Sequence, residues 1–431
     1  MTICKIAIAG IGVVGTGLIK LLQKNQHLLE QRLNCKIEIC AISAKRKNIK
    51  RDIDISHYQW YDNALTMAKE ADYDIFVELI GGDSGIAMDC WNACLQQSKS
   101  LVSANKALLA MHGEKMAKEF EAKKLHIGYE AAVAASIPVI RVIKESFIGD
   151  QIYRIRGILN GTSNFILSRM RQTGASFDTV LKEAQKLGYA EADPLFDVEG
   201  IDAAHKLTIL SRLAFSAKID FNDVYIEGIR KIEPVDIEFA SELGFEIKLL
   251  AISELKNNAI LQRVHPVMIK QDHHLAHIDD VLNAVELCCD HAGVSILKGN
   301  GAGASATASA VISDIAALIT NKKQVSVYNV PVESLKTFDM LDMEQYKGRF
   351  YLRINVLDHP GVLSKISTLL AESGISIETV IQKGRSHCTM PVHLMIITHE
   401  TSESAMRKAL QSFDMLSFIK AYLLLRIETS V

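Results

Sequence analysis

The sequence predicts an α/β chain with an N-terminal doubly wound parallel sheet, a second α+β domain and a C-terminal ferredoxin-like module. Three observations carry this prediction. Residues 5–125 alternate short β-rich runs with helical ones, residues 129–328 are dominated by helical patterns, and past residue 348 the order strand, helix, strand occurs twice. At 431 residues the chain exceeds what one hydrophobic core usually supports, so two or three domains are expected.

In the first region the runs KIAIAG (5–10), KIEICAIS (36–43), YDIFVELIGG (73–82) and SLVSANK (100–106) are strand-like, and a helical period covers 15–24. Strands separated by helices argue for a parallel, doubly wound sheet over 1–128. In the second region, 129–328, helices are expected at 136–146, 177–187 and 202–214, with strand-like runs at 151–159 and 259–269. The chain turns short, polar and turn-rich over 321–348, and a linker is placed at 329–348. Residues 349–431 then read as βαββαβ, the ferredoxin-like arrangement.

Forty-eight Lys and Arg against fifty Asp and Glu leave a net charge of −2, which supplies no broad positive field for nucleic acid or a membrane surface. A small-molecule substrate is the expected partner. No window approaches the roughly 18 apolar residues of a membrane span, and Met1 opens directly into a strand-like run without a cleavable leader, so a soluble, cytoplasmic protein is expected. The eight cysteines, at 4, 35, 40, 90, 94, 288, 289 and 388, lack zinc spacing and read as reduced, mostly buried thiols.

The first strand runs into Gly10-Ile11-Gly12-Val13-Val14-Gly15. There, glycines permit a tight turn and close approach of a pyrophosphate to the unpaired amides of a helix start, a Rossmann-like dinucleotide site. Such a pattern is weak alone but gains weight between a strand and a helix. The second strand ends in Ser43-Ala44-Lys45-Arg46, without the acid that would hold ribose hydroxyls in an NAD enzyme. Lys45 and Arg46 can neutralise a 2′-phosphate instead, which favours NADP, with NAD as the alternative; a solvated basic loop is the bland reading of the same dipeptide. Four residues separate Asp202 from Lys206, one helical face, where a carboxylate can orient an amine; an ordinary surface pair is the competing reading.

The segments Glu78-Leu79-Ile80-Gly81-Gly82, Val102-Ser103-Ala104-Asn105-Lys106, Gly157-Ile158-Leu159-Asn160-Gly161-Thr162-Ser163-Asn164 and, most extensively, 187–207 (LGYAEADPLFDVEGIDAAHKL) resemble the homoserine dehydrogenases. The resemblance spans nearly the whole chain. It implies reversible reduction of L-aspartate 4-semialdehyde to L-homoserine, on the route to threonine, methionine and isoleucine. Reducing an aldehyde requires a hydride donor over the carbonyl face and a cation or acid at its oxygen. Lys106 and Lys206 are the candidates, with Asp202 orienting the second; the resemblance assigns proton transfer to Lys206. It also assigns Glu191 to substrate, and Asp197 offers a second negative charge to the substrate ammonium. Tyr189, Gly161 and Thr162 complete the pocket. Ser103, Lys106 and Gly301 join the glycine turn as cofactor contacts.

The same resemblance implies a monovalent cation, sodium, held by Glu130 and the carbonyls of Val133, Ala135 and Ile137, although Ala135-Ser136 stands where the family commonly has Gly-Gly. A second departure puts Asn300 and Ala306 where the family has prolines. A homodimer or homotetramer is implied as well. Asp358-His359-Pro360-Gly361-Val362-Leu363 resembles the loop of an ACT domain, which implies an amino-acid effector, threonine being the candidate. A purely dimerising role for this module stays open beside it. Two rival readings are a sensor that keeps the folds but has lost turnover and another dehydrogenase on the same fold. The intact 187–207 block and the residues Lys106, Glu191, Asp202 and Lys206 argue against both.

Overall fold

The computed structural model describes residues 1–320, 326–383 and 391–428; the start of the turn-rich stretch at 321–325 and Cys388 lie outside them. The glycine turn follows the first strand of a six-stranded parallel sheet: β1 (Thr2–Ala9), β2 (Cys35–Ser43), β3 (Gln59–Tyr61), β4 (Ile75–Glu78), β5 (Ser100–Ser103) and β6 (Ile127–Gly128). The order is β3-β2-β1-β4-β5-β6, every neighbouring pair being parallel. Strand order therefore reverses between β1 and β4, and a crevice opens at their carboxyl ends. Two glycines make this geometry steric necessity. A Cβ on Gly10, whose φ is +99°, would stand 2.5 Å from the Leu79 carbonyl oxygen, and one on Gly15 would stand 2.1 Å from the Gly10 carbonyl oxygen.

One face of this sheet is closed by a helix from far along the chain. Ala304–Thr320 lies across Val13–Lys24, its Ala308, Val311 and Ile315 buried in one cluster with Ile6, Ile8, Leu18 and Ile19. Sequence order placed 304–320 in the second domain; its apolar face instead completes the first layer, because half of a doubly wound sheet left bare would expose Ile6 and Ile8.

The second sheet is antiparallel through most of its width. Its main path runs Gly293–Asn300, Leu282–Cys289, Ile152–Ile158, Phe245–Lys256, Ala259–Lys270, Ile419–Glu428, Lys347–Leu357, Pro391–Thr398, Ile377–Lys383. Its last four strands have the fourth-first-third-second order of a ferredoxin-like unit, confirming the βαββαβ reading. That unit is not a separate layer, because Arg426, Ile427 and Glu428 pair in parallel with Val267, Met268 and Ile269 and so continue the ferredoxin-like strands into the rest of this sheet. The strands at 245–256, 282–289 and 293–300 escape a pattern reading. Phe245–Lys256 is buried on both faces over most of its length, so alternation is lost and an apolar run serves a helix equally well.

Two further expectations change. The stretch 329–348 is a packed strap rather than a free linker: Val332, Leu335, Met343 and Tyr346 are buried and Asp339–Met340 pairs with the start of Ala259–Lys270. The helix expected at 136–146 begins only after Pro138, as a short turn Val139–Arg141 continuing into the wider turn Val142–Ser146, since proline donates no N–H and favours a first-turn position. Cys35, Cys90, Cys94, Cys288 and Cys289 are buried thiols, as expected. No helix among the described residues is long and apolar enough to cross a membrane.

Candidate functional site

Two adjoining cavities open at the reversal between β1 and β4, sharing Leu79 and Ile80 as a common wall. The outer, about 680 Å³, is lined by Gly10, Gly12, Val13, Lys45, Arg46 and Arg51 among others. Gly12 caps the helix Val13–Lys24 with no acidic residue in its first turn, so the amides and positive helix end face the cavity uncompensated, a ready anion site. Lys45 and Arg46 are exposed at its rim. Val14 lines the inner cavity instead.

The inner cavity, about 630 Å³, is lined by Lys106, Asn160, Gly161, Thr162, Tyr189, Asp197, Asp202, Lys206 and Gly301 among others. At its floor one carboxylate holds two amines. Asp202 lies on the helix Ile201–Phe215, and its Oδ1 is 2.7 Å from Lys106 Nζ while its Oδ2 is 2.8 Å from Lys206 Nζ. The Asp202–Lys206 pair is therefore a buried ion pair, not a surface one. Lys206 Nζ also donates to the Leu159 carbonyl at 2.6 Å, and Asn160 Nδ2 donates to both Asp202 Oδ2 and Asp197 Oδ1 at 2.8 Å.

Burial and charge set the three groups apart. Burial alone would raise the Asp202 carboxyl, but Lys206 and Lys106 override it and hold it well below the usual carboxylate range. Burial of Lys206, whose side chain is 9% exposed, dominates its balance and lowers its pKa, with Asp202 pulling up and Lys106 pulling down. Lys106 is 36% exposed at its side chain; burial pulls it down too, but Asp202, Asp197 and Glu191 outweigh that and its pKa is raised. The two amines thus differ, Lys106 held in its charged form and Lys206 shifted toward its neutral one.

The remaining substrate candidates are placed unequally. Asp197 is half-buried in the wall, its pKa raised by burial against the pull of Asn160. Thr162 Oγ1 donates to the Tyr189 carbonyl at 2.6 Å, and the Tyr189 ring meets Phe165 edge-on at 5.0 Å. Gly161 lets its helix start approach Val281, whose carbonyl oxygen would be 2.7 Å from a Cβ. Glu191 stays exposed on the loop and does not line the cavity; its charge is felt by Lys106 without contact.

Two cofactor candidates act behind the site rather than in it. Ser103 is fully buried, its hydroxyl donating to Glu78 at 2.6 Å and accepting the Asn105 N–H at 3.0 Å, because Glu78 needs a partner and also accepts the Ile80 and Gly81 amides that shape the shared wall. Gly15 is spent on helix-to-strand packing. Sequence reading missed Asn160, which ties Asp197 to Asp202 and, through Oδ1, caps the helix Gly161–Thr173 at the Ser163 N–H. Its position opening the Asn-Gly-Thr-Ser run was an available cap signal.

Glu130 accepts the Ile140 and Arg141 amides, each at 2.9 Å, with its two carboxylate oxygens, and burial pushes its pKa up to about 7. Val133, Ala135 and Ile137 follow on the same buried turn. Ala134 and Ala135 carry φ of +55° and +41°, the left-handed region where glycine is favoured.

Residues 138–316 match the family homoserine dehydrogenase, residues 10–130 its NAD binding domain, and residues 350–413 the ACT domain. A homoserine dehydrogenase of Neisseria gonorrhoeae is 39% identical over 430 residues, 98% of each chain. The solved homoserine dehydrogenase of Thiobacillus denitrificans superposes with a TM-score of 0.92 at 36% identity, covering 99% of both chains. A hyperthermophilic archaeal homoserine dehydrogenase solved in complex with NADPH aligns with a TM-score of 0.63 at 25% identity, covering 73% of this chain and 97% of its own. With a nicotinamide-nucleotide fold opening onto an amine-carboxylate-amine cluster and this likeness along its full length, the chain belongs to the homoserine dehydrogenase family, oxidoreductases that interconvert L-aspartate 4-semialdehyde and L-homoserine.

Proposed function

We propose that this homoserine dehydrogenase uses NADP in preference to NAD, with Lys206 as the proton-transfer residue and Lys106 as the fixed cation at the reacting oxygen. The observation that carries the catalytic roles is the buried Asp202 carboxylate shared between Lys106 Nζ at 2.7 Å and Lys206 Nζ at 2.8 Å, the buried amine being lowered and the more exposed one raised. When bound, the reduced nicotinamide supplies a hydride to the aldehyde carbon. As the carbonyl oxygen gains charge, Lys106 offsets it and Lys206 Nζ delivers the proton, giving the hydroxyl of homoserine. In the reverse direction neutral Lys206 takes that proton. Asp202 and the Leu159 carbonyl keep the amine aimed, and Asn160 keeps Asp202 in place. The acidic groups of 191–197 suit the substrate ammonium, with Asp197 in the wall and Glu191 closing from the loop.

Lys45 and Arg46, and the absence of an acid at the end of β2, support NADP, as does the archaeal relative solved with NADPH. The all-oxygen set of one carboxylate and three carbonyls at Glu130, Val133, Ala135 and Ile137 suits a hard monovalent ion such as sodium, which would neutralise a buried charge and brace the turn. Threonine is the proposed effector at the Asp358–Leu363 loop, where a cavity of about 150 Å³ lies against Asp358, His359 and Gly361. A cytoplasmic homodimer or homotetramer completes the reading. The deciding assay is homoserine-dependent reduction of NADP and of NAD by the purified enzyme and by Lys206→Ala. NADP is expected to give the higher kcat/KM, and the variant is expected to lose roughly 10³-fold in kcat with both; equal use of the two cofactors would reject the NADP assignment.

A further inference from the structure

The loop that carries Lys45 and Arg46 has little internal scaffold of its own. Within 44–51 the backbone makes a single turn, at Lys47 and Asn48. One side chain ties down the rest. Arg51 Nε donates to the Ile11 carbonyl at 3.1 Å, one terminal nitrogen to the Lys47 and Ile49 carbonyls at 3.0 and 3.1 Å, and the other to the Arg46 carbonyl at 2.7 Å. The planar fork of a guanidinium can satisfy several carbonyls at fixed angles, which an ammonium cannot.

The charge of that guanidinium is not cancelled. No carboxylate lies within ion-pair distance of Arg51 among the described residues, and its neighbour Asp52 pairs with Lys20 instead. Arg51 and Lys47 also lie against the Trp60 ring, each 5.7 Å from its centroid, which gives the loop an aromatic floor. Arg51 lines the outer cavity together with Lys45, Arg46 and Lys50, and through Ile11 it is tied to the pyrophosphate turn.

We propose that Arg51 is the specificity-determining positioning residue of the nucleotide site: it folds 45–50 against the glycine turn, so that Lys45 and Arg46 meet a 2′-phosphate as a preformed basic cradle. The inference rests on the NADP reading above. Held rigid, the loop loses little freedom when the phosphate arrives, and an ordered cation cluster binds a dianion better than the same charges on a mobile loop.

The test compares wild type, Arg51→Gln and Arg51→Lys for binding of 2′,5′-ADP and of ADP by calorimetry, with KM for NADP and NAD alongside and a thermal transition to confirm folding. Wild type is expected to prefer 2′,5′-ADP. Arg51→Gln is expected to lose about tenfold of that preference, equivalent to one charge-assisted interaction, with KM for NADP rising more than KM for NAD. Arg51→Lys keeps the charge but not the fork and is expected to lose nearly as much. Equal weakening of both ligands would overturn the proposal, since Arg51 would then act only on the pyrophosphate turn. Full preference in Arg51→Lys would overturn it by making charge alone sufficient. A wild type that binds ADP and 2′,5′-ADP alike would instead reject the NADP reading, and this inference with it.

Discussion

Two of the regions that bury charge do so with opposite stoichiometry. In the catalytic cavity one carboxylate, Asp202, faces two amines. Where the C-terminal module meets the middle of the chain, each arginine faces two carboxylates. Arg353 pairs with Asp236 at 2.7 Å and Glu233 at 2.8 Å, Arg263 with Glu428 at 2.8 Å and Glu254 at 3.1 Å, and Arg426 with Glu403 and Glu227. Arginine keeps its proton at any accessible pH and offers a fork that matches carboxylates, so these clusters cannot titrate through the arginine and serve cohesion. The lysine cluster has surplus positive charge, and one of its amines is pushed toward release. Choice of cation and ratio of signs set the cluster proposed to react apart from the arginine clusters within the same fold.

The largest expected effect comes from removing the reactive amine. Lys206→Ala should lower kcat by roughly 10³ while leaving the melting temperature near that of wild type, because Lys106 still neutralises Asp202. A variant with normal kcat would move proton transfer elsewhere.

Next in size, Arg353→Met strands Asp236, which is fully buried. It should cost about 3 kcal/mol of stability, with the activity of the molecules that remain folded retained. Denaturant unfolding of the two variants side by side breaks the comparison if Lys206→Ala proves the less stable.

The pH dependence sharpens it further. Burial lowers the Lys206 pKa from 10.5, and homoserine oxidation needs the neutral amine. The rate should therefore rise with pH and level off below the range of an ordinary lysine, whereas aldehyde reduction, which needs the charged amine, should fall over the same interval. A profile whose rise sits at the ordinary lysine value would remove Lys206 from proton transfer.

The smallest change tests backbone rather than charge. Ala135→Gly, at a φ of +41°, should raise stability by about 1 kcal/mol, measured as an upward shift in melting temperature. No shift would mean that the turn relaxes without penalty.

What was legible in the sequence was local. The Gly10–Gly15 turn, the fourfold spacing of Asp202 and Lys206, and the βαββαβ order each rest on residues close in sequence, whose spacing translates directly into a turn, a helical face or a strand pair. Partners brought from afar were not legible. Asn160 bridges Asp197 and Asp202 from another helix start, and Ser103 reads as a ligand contact until Glu78 is seen beside it. The helix Ala304–Thr320 belongs with a sheet some three hundred residues earlier, and 329–348 looks like a linker because its buried apolar residues are spaced among polar ones.

By itself, then, the sequence determined the three folding patterns and the glycine turn, and it brought forward the side chains proposed to react. Only the tertiary structure set the two lysines apart, Lys206 buried and Lys106 partly exposed. That outcome depends on burial depth and on fields from residues at 106, 197, 202 and 206 acting together, and neither quantity exists until the chain has folded.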